Sequence, residues 1–150
     1  MFTYVARCTG NLIKVPSVSG PTEVLLPVII AKQKTSFLFP MMVSLPDIPE
    51  KIRKIDLSVE EAEFKAGRSV VFFDIEFLGD IYYVYNNIVK YISHSEIFSG
   101  SMNIPQSVPD MEVIHYIDTF LTYDIFRADL SMQIIVDICI RLLEFRNINI

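Results

Sequence analysis

The side chains that could do chemistry in this chain are few, and they stand apart from one another. His94 and His115 have no second ligand at metal spacing, and neither Cys8 nor Cys139 lies near them in sequence. Each histidine reads as a single polar position on a sheet. The two cysteines read as reduced, buried thiols that pack as small hydrophobes. The acidic run Glu60-Glu61-Ala62-Glu63 could attract a divalent cation, but adjacent carboxylates on a strand or turn point in different directions. A solvated rim is the expectation there. No two of the five glycines lie within six residues, so no phosphate-cradling loop is present. No serine sits on a strand–turn–helix elbow. These residues predict a protein that is not an enzyme and that holds neither cofactor nor metal.

The elements must therefore carry the function. At 150 residues the chain has the common size of one domain, and it can bury a core without disulfide or metal. Hydrophobic residues make up 51% and charged residues 21%, with a mean hydropathy of +0.39. The longest apolar stretch, Val24–Ala31, is broken by Pro27 and falls far short of the ~20 residues a spanning helix needs. Residues Met1–Arg7 lack the basic and apolar regions of a signal peptide, so an intracellular, cytoplasmic location is expected. Thirteen basic against eighteen acidic residues give a net charge of −5, which repels phosphate backbones and argues against nucleic-acid binding.

Period-two alternation dominates the pattern. From Val71 to Tyr85 the odd positions Val71, Phe73, Ile75, Phe77, Ile81, Tyr83 and Tyr85 are apolar or aromatic, with only the small Gly79 among them. That is a half-buried strand, with Gly79 expected to mark a bend or bulge. Asn86-Asn87 tolerates the positive φ of a tight turn, and the chain returns as Ile88–Phe98. A two-residue loop then pairs Tyr85 with Ile88, Ile81 with Ile92 and Ile75 with Phe98 on one face. It pairs Val84 with Val89 and Tyr82 with Tyr91 on the other.

Leu130–Leu143 alternates in the same way and predicts a second long strand, with a helix starting at Asp129 as the alternative. Met111–Phe126 is apolar on both faces, as a strand covered on both sides or one twisting between layers would be. Lys54–Val59 is a further strand, leading through Lys65–Arg68 into the hairpin. Strands joined by turns with little helix predict an all-β fold, either a β-sandwich or a partly open barrel of long antiparallel strands.

Surplus apolar surface is what remains. The even face of the hairpin offers Phe72, Leu78, Tyr82, Val84, Val89, Tyr91 and Ile97 among acids and serines. Either another part of the chain covers them, or a partner protein or second copy docks there, since a monomer seldom leaves so large an apolar patch in water.

The order of features over residues 40–146 resembles the SPOCS domain of bacterial endospore-coat proteins, the SipL/SpoVID-like group. Leu45-Pro-Asp-Ile-Pro-Glu-Lys-Ile-Arg-Lys-Ile55 is similar to that family's proline-containing lead-in and lysine–isoleucine strand. Ser69-Val-Val-Phe-Phe-Asp-Ile75 through Ile81-Tyr-Tyr-Val84 is similar to its long strand ending in an aromatic–valine pair. Ile92-Ser-His-Ser-Glu-Ile-Phe98 leads into Met102-Asn-Ile-Pro105, and two alternating strands follow, again in the family's order. Two departures stand out. The family's strand glycine falls near Ile75, where this chain has Gly79 instead, and many members carry a LysM module that the residues up to Ile150 do not contain. The resemblance implies one non-catalytic assembly domain over residues 1–150, with residues 1–20 as a possible extended arm. It implies a cytoplasmic origin in the mother cell and then a place in spore coat or exosporium layers. The expected partners are other proteins, namely coat components and copies of itself. Two readings from other classes stay open. One is a filament or surface-layer subunit whose arm Met1–Val15 and tail Phe145–Ile150 add as strands onto neighbours. The other is a small barrel that binds an apolar ligand.

Overall fold

A computed structural model of the chain describes residues 23–149, all of them in strands or their connections. The predicted arm Met1–Val15 lies outside the described residues. Six strands follow in order: β1 (Glu23–Ser44), β2 (Lys51–Gly67), β3 (Val70–Tyr85), β4 (Ile88–Asn103), β5 (Glu112–Phe126) and β6 (Asp129–Asn149). They form two three-stranded antiparallel sheets, in orders β1-β6-β5 and β2-β3-β4. Packed face to face, these sheets make the β-sandwich, one of the two architectures expected from the pattern. Segment 130–143 is strand throughout, so the helix alternative is set aside.

Turn chemistry joins neighbouring strands. Asn86 and Asn87 take φ of 50° and 59°, the two left-handed residues of a type I′ turn. The β3–β4 register is the predicted one, from Tyr85 opposite Ile88 to Ile75 opposite Phe98. Ser69, at φ 60°, turns β2 into β3, and Arg127, at φ 55°, turns β5 into β6.

The predicted bulge at Gly79 is not there. Gly79 pairs regularly with Leu57 and His94, and the irregularities fall on β2, between Ile52 and Lys54 and between Val59 and Glu61. An added Cβ at Gly79 would meet only the His94 carbonyl oxygen at 3.8 Å, so no close approach demands a glycine there. The C-terminal tail also differs from the free arm of the filament reading. Residues through Asn149 continue β6 and pair with β1 down to Glu23.

Hydrophobic burial explains the layering. The central strands β3 and β6 turn Val71, Phe73, Ile75, Phe77, Ile81 and Tyr83 toward Leu130, Met132, Ile134, Val136, Ile138, Ile140 and Leu142, none more than 2% exposed. Rings fill the remaining space: Phe37 lies 5.1 Å from Phe73, Phe39 lies 5.7 Å from Phe77, and Phe98 lies 4.9 Å from Phe39. At ~0.5–1.5 kcal/mol per aromatic pair beyond burial, these contacts tie β1 to β3 and β4 of the opposed sheet. His115 of β5 stacks on Phe64 of β2 at 4.3 Å on the other side. That half-buried setting pushes its pKa below the usual 6.5.

Two connections move the chain between sheets, and both are pinned. In the first, between β1 and β2, the Leu45 N–H donates to the Ala128 carbonyl at 2.7 Å and the Glu50 N–H to the Val84 carbonyl at 2.8 Å. Asp47 between them accepts from Tyr83 Oη at 3.0 Å and from Lys90 Nζ at 2.9 Å. In the second, Ile104 is buried and Ser107 points its hydroxyl at the carbonyls of Gly67 and Val70, 2.8 and 3.0 Å away. The Ile104-Pro105 step singled out in the sequence thus caps the β2–β3 turn.

The Asp47 contact makes stability pH-dependent with a definite sign. The Lys90 ammonium holds the carboxyl below its usual 3.8, so the native state favours the ionised form. Its contribution is complete above pH 3.8 and is lost as pH falls through the lower native value. An Asp47→Asn variant should melt below wild type at pH 7, and the gap should narrow steadily as pH is lowered below 3.8, as followed by circular dichroism.

Candidate protein-interaction face

The outer face of the β2-β3-β4 sheet carries all seven residues singled out in the sequence, and no described part of the chain lies over them as a further layer. Phe72, Val89, Tyr91 and Ile97 are 45–63% exposed, while Leu78, Tyr82 and Val84 are half-buried by their neighbours on the sheet. Register decides which of them meet. Tyr82 stands opposite Tyr91 and Val84 opposite Val89, in adjacent rungs at the hairpin tip. Leu78 opposes Ser95 and is diagonal to Ile97. Phe72 lies apart, beyond the rungs of Asp74 and Glu76, with its ring against Gly67.

The tip cluster is a half-polar, half-apolar surface with its side chains held in place. The Tyr82 and Tyr91 rings are 5.1 Å apart and tilted. Lys54 Nζ sits 5.0 Å over Tyr82 while pairing with Asp56 at 3.2 Å. Tyr91 Oη and Ser93 Oγ both reach Asp80 Oδ1, at 3.2 and 2.7 Å. Ordered tyrosines of this kind lose little rotamer freedom when a partner covers them.

Next to this cluster the sheet is acidic. Glu61 stands opposite Glu76 and Glu63 opposite Asp74, so four carboxylates line a shallow depression together with Ile97 and Ser99 of β4. Like charges directly opposite destabilise a sheet, and these four form no ion pair with a basic residue among the described residues. Glu61 and Glu63, two apart on a strand, share one face and meet the acids of β3 there. They face solvent as expected, but side by side. Ser99 donates to Asp74 and Ser95 to Glu76, which satisfies part of the cluster.

The other sheet has an outer apolar rung that the sequence reading did not name. Leu38, Ile135 and Phe120 stand in line across β1, β6 and β5 and are 44–62% exposed. Alternation through Phe37, Phe39, Met41 and Val43, which face inward, was the signal that places Leu38 outside.

The two histidines lie on different sheets. His94 Nε2 is 2.8 Å from Glu96 Oε1 on the β4 edge, and His115 is the stacked residue of β5. Among the described residues no group of three or more His, Cys, Asp or Glu side chains is placed to hold a metal ion. No described helix is long and apolar enough to cross a membrane. Cys139 is half-buried and forms no disulfide among the described residues.

No protein-family model, curated protein or solved structure matches the chain.

Proposed function

We propose that the chain is a non-catalytic assembly module that works by contact with other proteins, copies of itself included, through the outer face of the β3–β4 hairpin. The observation that carries this reading is the Tyr82/Tyr91 and Val84/Val89 cluster, solvent-facing and held by Asp80 and Lys54. Tyrosine is among the residue types that dominate binding energy at interfaces. The acidic rungs beside the cluster favour a partner whose rim is basic. An internal apolar ligand has less support, because phenylalanine rings occupy the space between the sheets.

The narrower reading, a spore-coat assembly domain, rests on the ordered resemblance over residues 40–146. Expression confined to sporulation in the host supports it, and equal expression during vegetative growth contradicts it.

The interface itself is tested by the double variant Val89→Thr/Tyr91→Ser. Both positions are exposed, so the melting temperature should change little. Sedimentation velocity should show self-association weakened roughly tenfold or more, about what losing two anchor residues removes. Unchanged association with an intact fold contradicts the outer-face reading.

A further inference from the structure

We infer that β4 is a self-pairing edge, along which two copies of this chain join antiparallel into one continuous six-stranded sheet. The inference goes beyond the outer-face reading, because it uses the hydrogen-bonding edge of the sheet instead of its face.

The four edge strands differ in how they are defended. β1 carries Pro27 and Pro40 and a register shift between Ile29 and Ala31. β2 has two register shifts and a charge at nearly every second residue. Prolines, bulges and charges are the devices that keep an edge from pairing. β4 has none of the first two: its 16 residues contain no proline and pair with β3 without a shift. Its only formal charges are Lys90 and Glu96. The side of β4 away from β3 has no strand partner among the described residues.

β5 is also unbroken, but it cannot complement itself. Its acids Glu112, Asp118 and Asp124 have even numbers, while its one basic side chain, His115, has an odd number. Antiparallel pairing that keeps the faces aligned joins only even with even and odd with odd. No such register sets His115 against an acid.

On β4 one register is self-complementary. With Ser95 opposite Ser95 of the second copy, His94 stands opposite Glu96 and Glu96 opposite His94. Ile92 then meets Phe98 on the same inner face, so the apolar layer continues across the joint. The nearest registers that keep the faces aligned, two residues away on either side, set His94 against His94 or Glu96 against Glu96. A cross-strand histidine–carboxylate hydrogen bond and apolar cross-strand pairs stabilise a sheet, and opposed carboxylates do the reverse, so the geometry selects a single register. His94 and Glu96 are each about one-third exposed and 2.8 Å apart, at the height where both could reach the second copy.

Cysteine cross-linking of the full chain tests this, in a Cys8→Ser/Cys139→Ser background. In the inferred register two Ser95 positions have Cβ atoms ~5 Å apart. Those of Ser93, or of Ser99, are ~13 Å or more apart, beyond the reach of a disulfide. Ser95→Cys should therefore give a covalent dimer under mild oxidation roughly tenfold or more faster than Ser93→Cys or Ser99→Cys. Equal rates at the three positions, a faster reaction at 93 or 99, or no dimer at all overturns the inference. The two readings fail separately. A Ser95→Cys dimer, together with sedimentation left unchanged by Val89→Thr/Tyr91→Ser, keeps the edge and removes the face, and association weakened by that double variant without Ser95→Cys cross-linking does the opposite.

Discussion

Ile81→Asp is expected to abolish the folded state at 25 °C. Ile81 is fully buried on the central strand of its sheet, between Ile55 and Ile92, and faces the β6 residues of the other layer. Removing the side chain from such a site costs ~2–5 kcal/mol. A carboxylate put in its place has no partner and must either stay charged in an apolar layer or take up a proton, adding several kcal/mol more. A domain of this size has only ~5–15 kcal/mol in total. Tyr82→Asp is the matched control, because the next side chain points outward and should cost ~1 kcal/mol or less. Urea unfolding followed by circular dichroism compares the two. Equal losses would mean that the inward and outward faces of β3 are wrongly assigned.

Gly100→Ala is expected to cost ~1–3 kcal/mol, with relief by a second change at Phe73. An added Cβ at Gly100 would lie 2.6 Å from the Phe73 ring Cζ and 3.2 Å from both Cε atoms. That ring is buried and has little room to retreat, since Phe37, Phe64 and Phe98 stand around it at 5.1, 5.8 and 5.4 Å. The glycine opposite lets the ring lie flat across β4, as aromatic–glycine cross-strand pairs do. Gly79→Ala lies in the same sheet, where the added methyl group meets only ordinary contact, and should be neutral or stabilising by up to ~1 kcal/mol. Phe73→Leu combined with Gly100→Ala should recover part of the loss. Equal urea midpoints for the two alanine variants would contradict the ring-on-glycine packing.

What could be read from the sequence follows the range of the signals. The β3–β4 register was legible to the residue because a two-residue Asn-Asn loop leaves no freedom of parity. β6 was legible because its alternation of buried and outward residues holds from Leu130 to Leu142. β2 was read only over Lys54–Val59, for a physical reason. Its two bulges switch the inward set from Ile52 to Ile55 and Leu57, then back to Ala62, Phe64 and Ala66, which erases the period. β1 was hidden by Pro27 and Pro40, which an edge strand tolerates and a central strand does not. Gly79 invited a bulge that falls instead two rungs away on the neighbouring strand.

The candidate site was legible where it is local. All seven chosen side chains share one hairpin, so the turn alone puts them on one face. The sequence left open whether another layer of the chain covers that face, since this depends on which side of the sheet meets β6. The Leu38–Ile135–Phe120 rung was out of reach for the same reason, because three strands distant in sequence must be aligned before it exists. The tail 145–149 looked free because its partner, the start of β1, lies at the other end of the described chain.

The claim that this chain works by protein contact meets its most direct test in the mass of the purified chain in solution. Multi-angle light scattering across micromolar concentrations should give a weight-average mass that rises with concentration to at least twice the 17.2 kDa of one chain. A mass of 17.2 kDa at every concentration would contradict self-assembly through either the hairpin face or the β4 edge.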